Sequence, residues 1–301
     1  MLRRRGVSWP ELGEMDEWLA AREADVPHLR AGCEKRVVWA GEAGQQTDLS
    51  IVVMHGFSAS ALEMHPVPER VAAELGANLY FARLDGHGAD GAAMGRVTLA
   101  DWQQTARETL AIGRMIGRRV ITISCSTGCP LTVMAATEDA AQIAGHVMVS
   151  PNFRLKSRVA RAVFDLPWFA VLGKLIIGRE RGFGPRNLAH AQGWTYRYPF
   201  EALIPLRDTL RAFSAGRPAA LSAPVLMIVS DRDRTIDSGY AREVAKGWRA
   251  RVEALEMGPE DDPGHHVILG DALSPGQTDS GVAMIVAWIK SGVLQTYAKM
   301  T

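Results

Sequence analysis

The chain has 301 residues, of which 47% are hydrophobic and 22% are charged. This composition excludes an intrinsically disordered chain, and the length is sufficient for one enlarged domain or two smaller ones. The 34 basic and 33 acidic residues give a formal net charge of +1. A balance of this kind argues against a protein whose main partner is nucleic acid.

The three cysteines, Cys33, Cys125 and Cys129, are too few and too irregularly spaced for a disulfide framework or a zinc site. Free thiols are typical of a reducing compartment, so we expect a cytoplasmic protein. The arginines near the N-terminus are followed by acidic residues, which argues against a signal peptide. The most apolar long segment, residues 163–178, contains charges and a proline and is too short to span a membrane.

Hydrophobic periodicity predicts alternating strands and helices. Continuous apolar runs rich in β-branched residues predict buried strands, and periodic apolar positions that end at glycine predict helices. An N-terminal segment comes first, with an amphipathic helix around residues 11–23 and a short strand at 36–40. In chain order we then predict strand 49–54, helix 66–75, strand 78–83, helix 99–116, strand 119–124, helix 130–137 and strand 145–150.

This alternation is typical of a parallel sheet with right-handed crossovers. It is interrupted at residues 151–218, which are rich in arginine and aromatic residues and contain no clear buried strand. We therefore predict an α/β core formed by residues 1–150 and 219–301, with a helical insertion at 151–218. The elements predicted after the insertion are strand 224–230, helix 238–248, strand 252–257 and helix 279–291.

Ser126 follows the predicted strand 119–124 and precedes a helix, within the sequence SCSTG. A serine on a sharp strand-to-helix turn exposes its hydroxyl at the carboxyl edge of the sheet, and small flanking residues allow the backbone segments to approach closely. Ser126 occupies the nucleophile position of a G-x-S-x-G turn, with Ser124 in place of the first glycine and Gly128 as the second. The pentapeptide by itself is also compatible with an ordinary turn between strand and helix.

Carboxylates and histidines follow at later strand ends. Asp231 and Asp233 come directly after strand 224–230, and His265 and His266 lie in a loop before the last helix. Open α/β sheets bind ligands at the carboxyl ends of their strands. The chain order Ser, Asp, His is that of the nucleophile, acid and base in α/β-hydrolases.

The sequence HGFSAS at residues 55–60 directly follows strand 49–54. Acyl transfer places negative charge on the substrate carbonyl oxygen, and preorganised backbone N–H groups stabilise that charge. We expect the N–H groups of Phe57 and Thr127, the residue after the serine, to form this oxyanion hole.

From about residue 49 onward the chain resembles the α/β-hydrolases, most closely the bacterial carboxylesterases and monoacylglycerol lipases. The resemblance implies a mostly parallel central sheet flanked by helices, with residues 151–218 as a helical cap. The matching segments are HGFSAS at 55–60, LDGHG at 84–88, ADW at 100–102, SCSTG at 124–128, SDRDRTID at 230–237 and HHVI at 265–268.

The resemblance also implies roles for individual residues. The family pattern has an aliphatic residue three positions after the acid, which favours Asp233 over Asp231. It has a valine and a second aliphatic residue directly after the histidine, which favours His266 over His265. Ser126 is then the nucleophile, Asp233 the acid and His266 the base.

A serine hydrolase that cleaves small-molecule carboxylic esters through an acyl-enzyme is the function that the resemblance implies. We expect an apolar acyl or alcohol part to bind the cap, with Trp168 and Phe169 as candidate contacts, although each could instead pack the cap onto the core. Acyltransferases, thioesterases and C–C hydrolases use the same fold, and a non-catalytic binding protein is the alternative from another class. No nucleotide-binding or metal-binding motif occurs, so we predict no cofactor and no metal. The oligomeric state stays open.

Overall fold

A computed structural model describes residues 9–216 and 221–294. The strands are β1 (Arg36–Val38), β2 (Thr47–Met54), β3 (Asn78–Phe81), β4 (Gly117–Cys125), β5 (Ile143–Val149), β6 (Glu180–Gly182), β7 (Arg197–Pro199), β8 (Val225–Val229) and β9 (Ala250–Ala254). Seven of them form one sheet in the order β1-β3-β2-β4-β5-β8-β9. β1 runs antiparallel to β3, and the other neighbouring pairs are parallel.

Helices cover both faces of this sheet, which confirms the predicted α/β-hydrolase fold class. They are α1 (Met15–Ala24), α2 (Val67–Leu75), α3 (Gly91–Met94), α4 (Leu99–Ile116), α5 (Gly128–Glu138), α6 (Arg158–Phe164), α7 (Phe169–Ile177), α8 (Leu188–Gly193), α9 (Leu203–Ala215), α10 (Ser238–Ala245) and α11 (Thr278–Trp288).

The two faces of the sheet separate the core into two apolar clusters. Successive strand residues point to opposite faces. In β2, Val52 packs in the cluster that includes side chains of α4, α5 and α9, whereas Ile51 and Val53 pack in the cluster that includes side chains of α2 and α11. Because both faces are buried, apolar residues occupy both faces of the central strands and only a few buried polar residues interrupt them, which is why the strands are recognisable as apolar runs.

Helix 99–116 is predicted at both ends because its signals are local. The Thr98 side chain accepts the Asp101 N–H while the Asp101 carboxylate accepts the Thr98 N–H, which is the capping box that starts many helices. The predicted strand 252–257 is misplaced, because the observed strand is β9, Ala250–Ala254. This edge strand is only partly buried, and its position is determined by pairing with β8.

Two predicted helix ends also need correction. The helix predicted at 238–248 ends at Ala245. The helix predicted at 279–291 is α11, which ends at Trp288 and continues as a π-helical segment, Ile289–Leu294.

The segment between β5 and β8 contains α6 to α9 and the antiparallel pair β6–β7. Every residue of β6 is exposed, which agrees with the lack of a buried-strand pattern there. The chain then returns to the main sheet, where β8 pairs with β5. The division into 1–150, a cap at 151–218 and 219–301 stays a prediction.

Candidate active site

Ser126 lies on the turn between β4 and α5 and is nearly buried, with 4% of its surface exposed. Its φ of +47° lies in the left-handed region, which a non-glycine residue adopts only where the surroundings enforce it. Gly128 permits the turn because a Cβ atom there would lie 2.4 Å from the Met54 carbonyl oxygen. The small residue Gly128 thus allows α5 to approach the end of β2 closely, as the sequence SCSTG predicts.

The structure brings Ser126, Asp233 and His266 together. His266 Nε2 lies 3.0 Å from Ser126 Oγ, and His266 Nδ1 lies 2.8 Å from Asp233 Oδ2. The other Asp233 oxygen accepts the N–H groups of Thr235 and Ile236 at 2.7 and 2.9 Å. These two bonds fix the carboxylate, so that Nδ1–H of His266 donates to Asp233 and Nε2 accepts the serine hydroxyl.

The charge of Asp233 adjusts the basicity of His266. Burial by itself lowers the pKa of His266, but the nearby carboxyl groups, Asp233 first and then Glu63 and Asp262, together outweigh burial and raise the pKa above its ordinary value. A histidine with this pKa accepts a proton readily, and the carboxylate stabilises the imidazolium that forms.

Asp262 holds the loop that carries His266, and the sequence reasoning did not identify it. One oxygen of its carboxylate accepts the N–H groups of His266 and Val267 at 2.9 and 3.1 Å, and the other accepts that of Gly264 at 3.0 Å. Although burial raises the pKa of Asp262, these donors outweigh burial and lower it. The available signal was an aspartate directly before Pro-Gly, where side chains commonly cap turns.

Asp231 and His265 lie away from Ser126. Asp231 is exposed and pairs with Arg242 at 2.8 Å. His265 adopts a left-handed φ of +54° and lines a different cavity, which it shares with Asp231. Neighbouring residues in a tight turn point in different directions, so Asp233 and not Asp231 contacts His266, and His266 and not His265 contacts Ser126.

Phe57 and Thr127, whose backbone N–H groups are the predicted oxyanion-hole donors, both border the cavity at Ser126. In the part of the chain that the structure describes, neither of these N–H groups has a hydrogen-bond acceptor. The turn that carries Phe57 is fixed by His55, whose Nδ1–H donates to the Gly56 carbonyl oxygen at 2.8 Å while its Nε2 accepts the Leu84 N–H at 3.1 Å. Burial lowers the pKa of His55 to about 4, so the ring is neutral and both bonds persist.

A cavity of about 410 Å³ opens at Ser126 and His266. Most of the surface of this cavity is apolar, but polar and charged side chains also line it, among them Arg186, which pairs with Asp262 at 3.4 Å. The apolar lining residues include Phe57, Leu155, Phe183, Trp194, Leu206 and Leu273.

The structure does not bring Trp168 and Phe169 into this cavity, which corrects their prediction as substrate contacts. Trp168 is 79% exposed at the start of α7. Phe169 is buried but packs against Phe164 and Phe200, with ring centroids 5.2 and 5.1 Å away. Phe169 therefore packs within the insertion, while other aromatic residues of the same segment reach the cavity.

Residues 9–216 and 221–294 contain no group of three or more His, Cys, Asp or Glu side chains that could hold a metal ion. Among the same residues, no helix combines the length and the apolar character needed to cross a membrane.

Comparisons with solved structures identify enzymes of similar fold. A structure from work on LipS and LipT, described as metagenome-derived lipolytic enzymes, is 20% identical, with a TM-score of 0.67, over 87% of this chain and 99% of that chain. Est1E from Butyrivibrio proteoclasticus, solved with ferulic acid, is 15% identical, with a TM-score of 0.56, over 86% and 96%. A monoglyceride lipase from Saccharomyces cerevisiae, solved with a substrate analogue, is 12% identical, with a TM-score of 0.59, over 85% and 90%.

A search of curated protein sequences returned no match. The model of the Alpha/beta hydrolase family matches residues 51–274, a range that runs from β2 to the loop after His266. The chain therefore belongs to the alpha/beta hydrolase family.

Proposed function

We propose that this hydrolase is a serine carboxylesterase that cleaves small esters with an apolar acyl or alcohol part. The observation that carries the proposal is the continuous hydrogen-bonded chain from Asp233 through His266 to Ser126, at the mouth of a largely apolar cavity. Solved enzymes of similar fold include lipolytic enzymes and a monoglyceride lipase. The three cysteines are unpaired, in keeping with a cytoplasmic enzyme.

The reaction proceeds in two steps. As Ser126 Oγ attacks the ester carbonyl, His266 Nε2 takes the hydroxyl proton and a bond forms between Oγ and the carbonyl carbon. The N–H groups of Phe57 and Thr127 stabilise the resulting oxyanion. The C–O bond to the alcohol then breaks, and the alcohol leaves with the proton from His266.

Water completes the cycle. His266 removes a proton from a water molecule, and the hydroxide attacks the acyl-enzyme carbonyl. The carboxylic acid leaves as Ser126 Oγ regains its proton from the imidazolium. Throughout, Asp233 keeps the ring in the tautomer with Nδ1 protonated, and it is not itself protonated.

The proposal is tested by hydrolysis of short p-nitrophenyl esters. Ser126→Ala and His266→Ala are each expected to lower kcat by three to six orders of magnitude, roughly, because the nucleophile or the base is removed. Ser124→Ala and His265→Ala are matched controls: Ser124 Oγ donates to the Val147 carbonyl oxygen, and neither side chain contacts the reacting atoms. Wild-type turnover by Ser126→Ala contradicts the mechanism.

A second assay compares oxygen ester, thioester and amide substrates with the same acyl group, and adds a competing alcohol as acyl acceptor. The carboxylesterase assignment predicts the highest kcat/KM for the oxygen ester and release of the free acid. A preference for the thioester, or transfer to the alcohol in place of hydrolysis, assigns the enzyme to one of the other classes.

A further inference from the structure

Glu63 is a buried acid that borders the same cavity as Ser126 and His266, and the mechanism above does not use it. Only 3% of its surface is exposed. It follows the turn that carries Phe57, and its own N–H donates to the Ser60 carbonyl oxygen at 3.0 Å.

The environment of Glu63 differs from that of the other buried glutamates. Glu23 pairs with Arg83 at 2.6 Å and Glu108 pairs with Lys35 at 3.5 Å. Within the described residues, Glu63 makes no such ion pair. Burial raises the pKa of Glu63, which reflects the cost of an acid in an apolar surrounding. Packing alone would favour an apolar side chain at this position, so a buried acid here indicates a role in the site.

A backbone donor meets the Glu63 carboxyl group. The Gly56 N–H donates to its Oε2 at 2.6 Å, a short bond typical of a carboxylate acceptor. Burial raises the pKa of Glu63, and this bond lowers it without outweighing burial. Glu63 thus holds the turn after β2 through the backbone of Gly56.

Gly56, which donates its N–H to Glu63, lies directly beside the nucleophile. A Cβ atom at Gly56 would lie 2.9 Å from Glu63 Oε1 and 2.9 Å from Ser126 Cβ. Only glycine fits between the carboxyl group and the nucleophile, and glycine leaves the backbone free to rotate.

Two side chains remove that freedom. Glu63 holds the peptide group on the N-terminal side of Gly56 through its N–H. His55 holds the peptide group on the other side through the Gly56 carbonyl oxygen. That second peptide group carries the Phe57 N–H, so its direction depends on both contacts.

We propose that Glu63 is a positioning residue for the oxyanion hole: by accepting the Gly56 N–H, it aims the Phe57 N–H at the oxyanion formed on Ser126. This inference rests on the proposed esterase function. Donors to an oxyanion must lie about 2.7–3.1 Å from it, and a misplacement of about 1 Å can lower the rate about 100-fold.

The test compares Glu63→Met, which keeps the side-chain length without an acceptor, with Glu63→Gln, which keeps an acceptor oxygen. For a p-nitrophenyl ester we expect Glu63→Met to lower kcat about 30- to 100-fold and to change KM by less than about threefold. Glu63→Gln should restore kcat to within about fivefold of wild type. An alkyl trifluoromethyl ketone, which forms a tetrahedral oxyanion on the serine, should lose affinity for the Met variant by a factor similar to the kcat loss.

Glu108→Met is the control for removal of a buried acid outside the site, and it should lower the melting temperature without lowering kcat. If Glu63→Met does not fold, Glu63→Asp replaces it, because it withdraws the acceptor by one methylene. Wild-type kcat and ketone affinity in the variant that folds overturn the inference, as does an equal kcat loss in the Gln and Met variants. Such a result leaves the esterase assignment intact as long as Ser126→Ala is inactive, whereas activity of Ser126→Ala overturns the assignment itself.

Discussion

The carboxylate of Asp233 divides its two oxygens between the backbone and His266. Oδ1 accepts two N–H groups of its own turn, and Oδ2 faces the imidazole. Because the backbone fixes the carboxylate, the histidine meets a rigid partner. Among the contacts that raise the pKa of His266, the one with Asp233 contributes most, and it links the geometry of the site to a measurable pH dependence.

Asp233→Asn tests this contact through the pH profile of kcat/KM. His266 must be neutral to act as a base, so wild-type activity should rise with pH through a midpoint above 6.5, the ordinary histidine pKa. Loss of the negative charge should move this midpoint to lower pH and lower kcat by about 10³–10⁴-fold. Asp231→Asn is the matched control, and it should leave the profile unchanged. A midpoint that stays in place in Asp233→Asn argues against the electrostatic role.

The unit made of β4, the turn and α5 determines how the serine is presented. β4 lies in the interior of the sheet between β2 and β5, so the strand end cannot shift to relieve the left-handed conformation of Ser126. Gly128 at the start of α5 contacts the last residue of β2. The close approach of α5 to the end of β2 therefore depends on the absence of a side chain at Gly128.

Gly128→Ala should disturb this unit. The added methyl group would lie 2.4 Å from the Met54 carbonyl oxygen and 2.7 Å from that of His55, and backbone atoms yield less readily than side chains. We expect a loss of about 1–3 kcal/mol in the free energy of unfolding and a large fall in kcat, measured by denaturant unfolding and ester hydrolysis. Gly41→Ala, where no atom lies within 4 Å, should change neither. An unchanged Gly128→Ala enzyme contradicts the packing argument.

At the scale of the molecule, the site lies between two parts of the chain. The turn after β4 carries Ser126, the loop before α11 carries His266, and residues 151–216 form part of the cavity wall. Phe183, beside β6, lines the cavity and stacks on His190 with ring centroids 5.4 Å apart. Trp168 belongs to the same segment but faces solvent. The insertion therefore contains aromatic residues with different expected effects on substrate choice.

Phe183→Ala and Trp168→Ala separate these effects. Removal of the Phe183 ring should enlarge the cavity and raise the ratio of kcat/KM for octanoate over butyrate p-nitrophenyl esters by about threefold or more, since one methylene group in a pocket is worth about 1–3 kcal/mol. Trp168→Ala should leave this ratio unchanged and alter stability by less than about 0.5 kcal/mol. A change of preference in Trp168→Ala alone would mean that the substrate extends over α7.

Much of the fold could be predicted because its signals are local. The helix Leu99–Ile116 is bounded by its own capping residues and by a terminating glycine. The buried strands are mostly apolar on both faces because the sheet is covered on both faces. The order of Ser126, Asp233 and His266 along strand ends, with the family motifs, was sufficient to predict a shared site at the carboxyl edge of the sheet.

Tertiary structure alone decided which side chains meet. The cavity wall includes Phe183 and not Trp168. Both residues lie in a segment with little periodicity, so the sequence does not distinguish them and only packing determines which one lines the cavity. The contact of Glu63 with Gly56 joins two residues whose spacing matches no known motif. Asp262 precedes Pro-Gly, a local turn signal, but its contact with the backbone of His266 is visible only in the tertiary structure. Periodicity and capping are read from neighbours along the chain, whereas an acceptor for a particular N–H group is determined by the three-dimensional approach of segments.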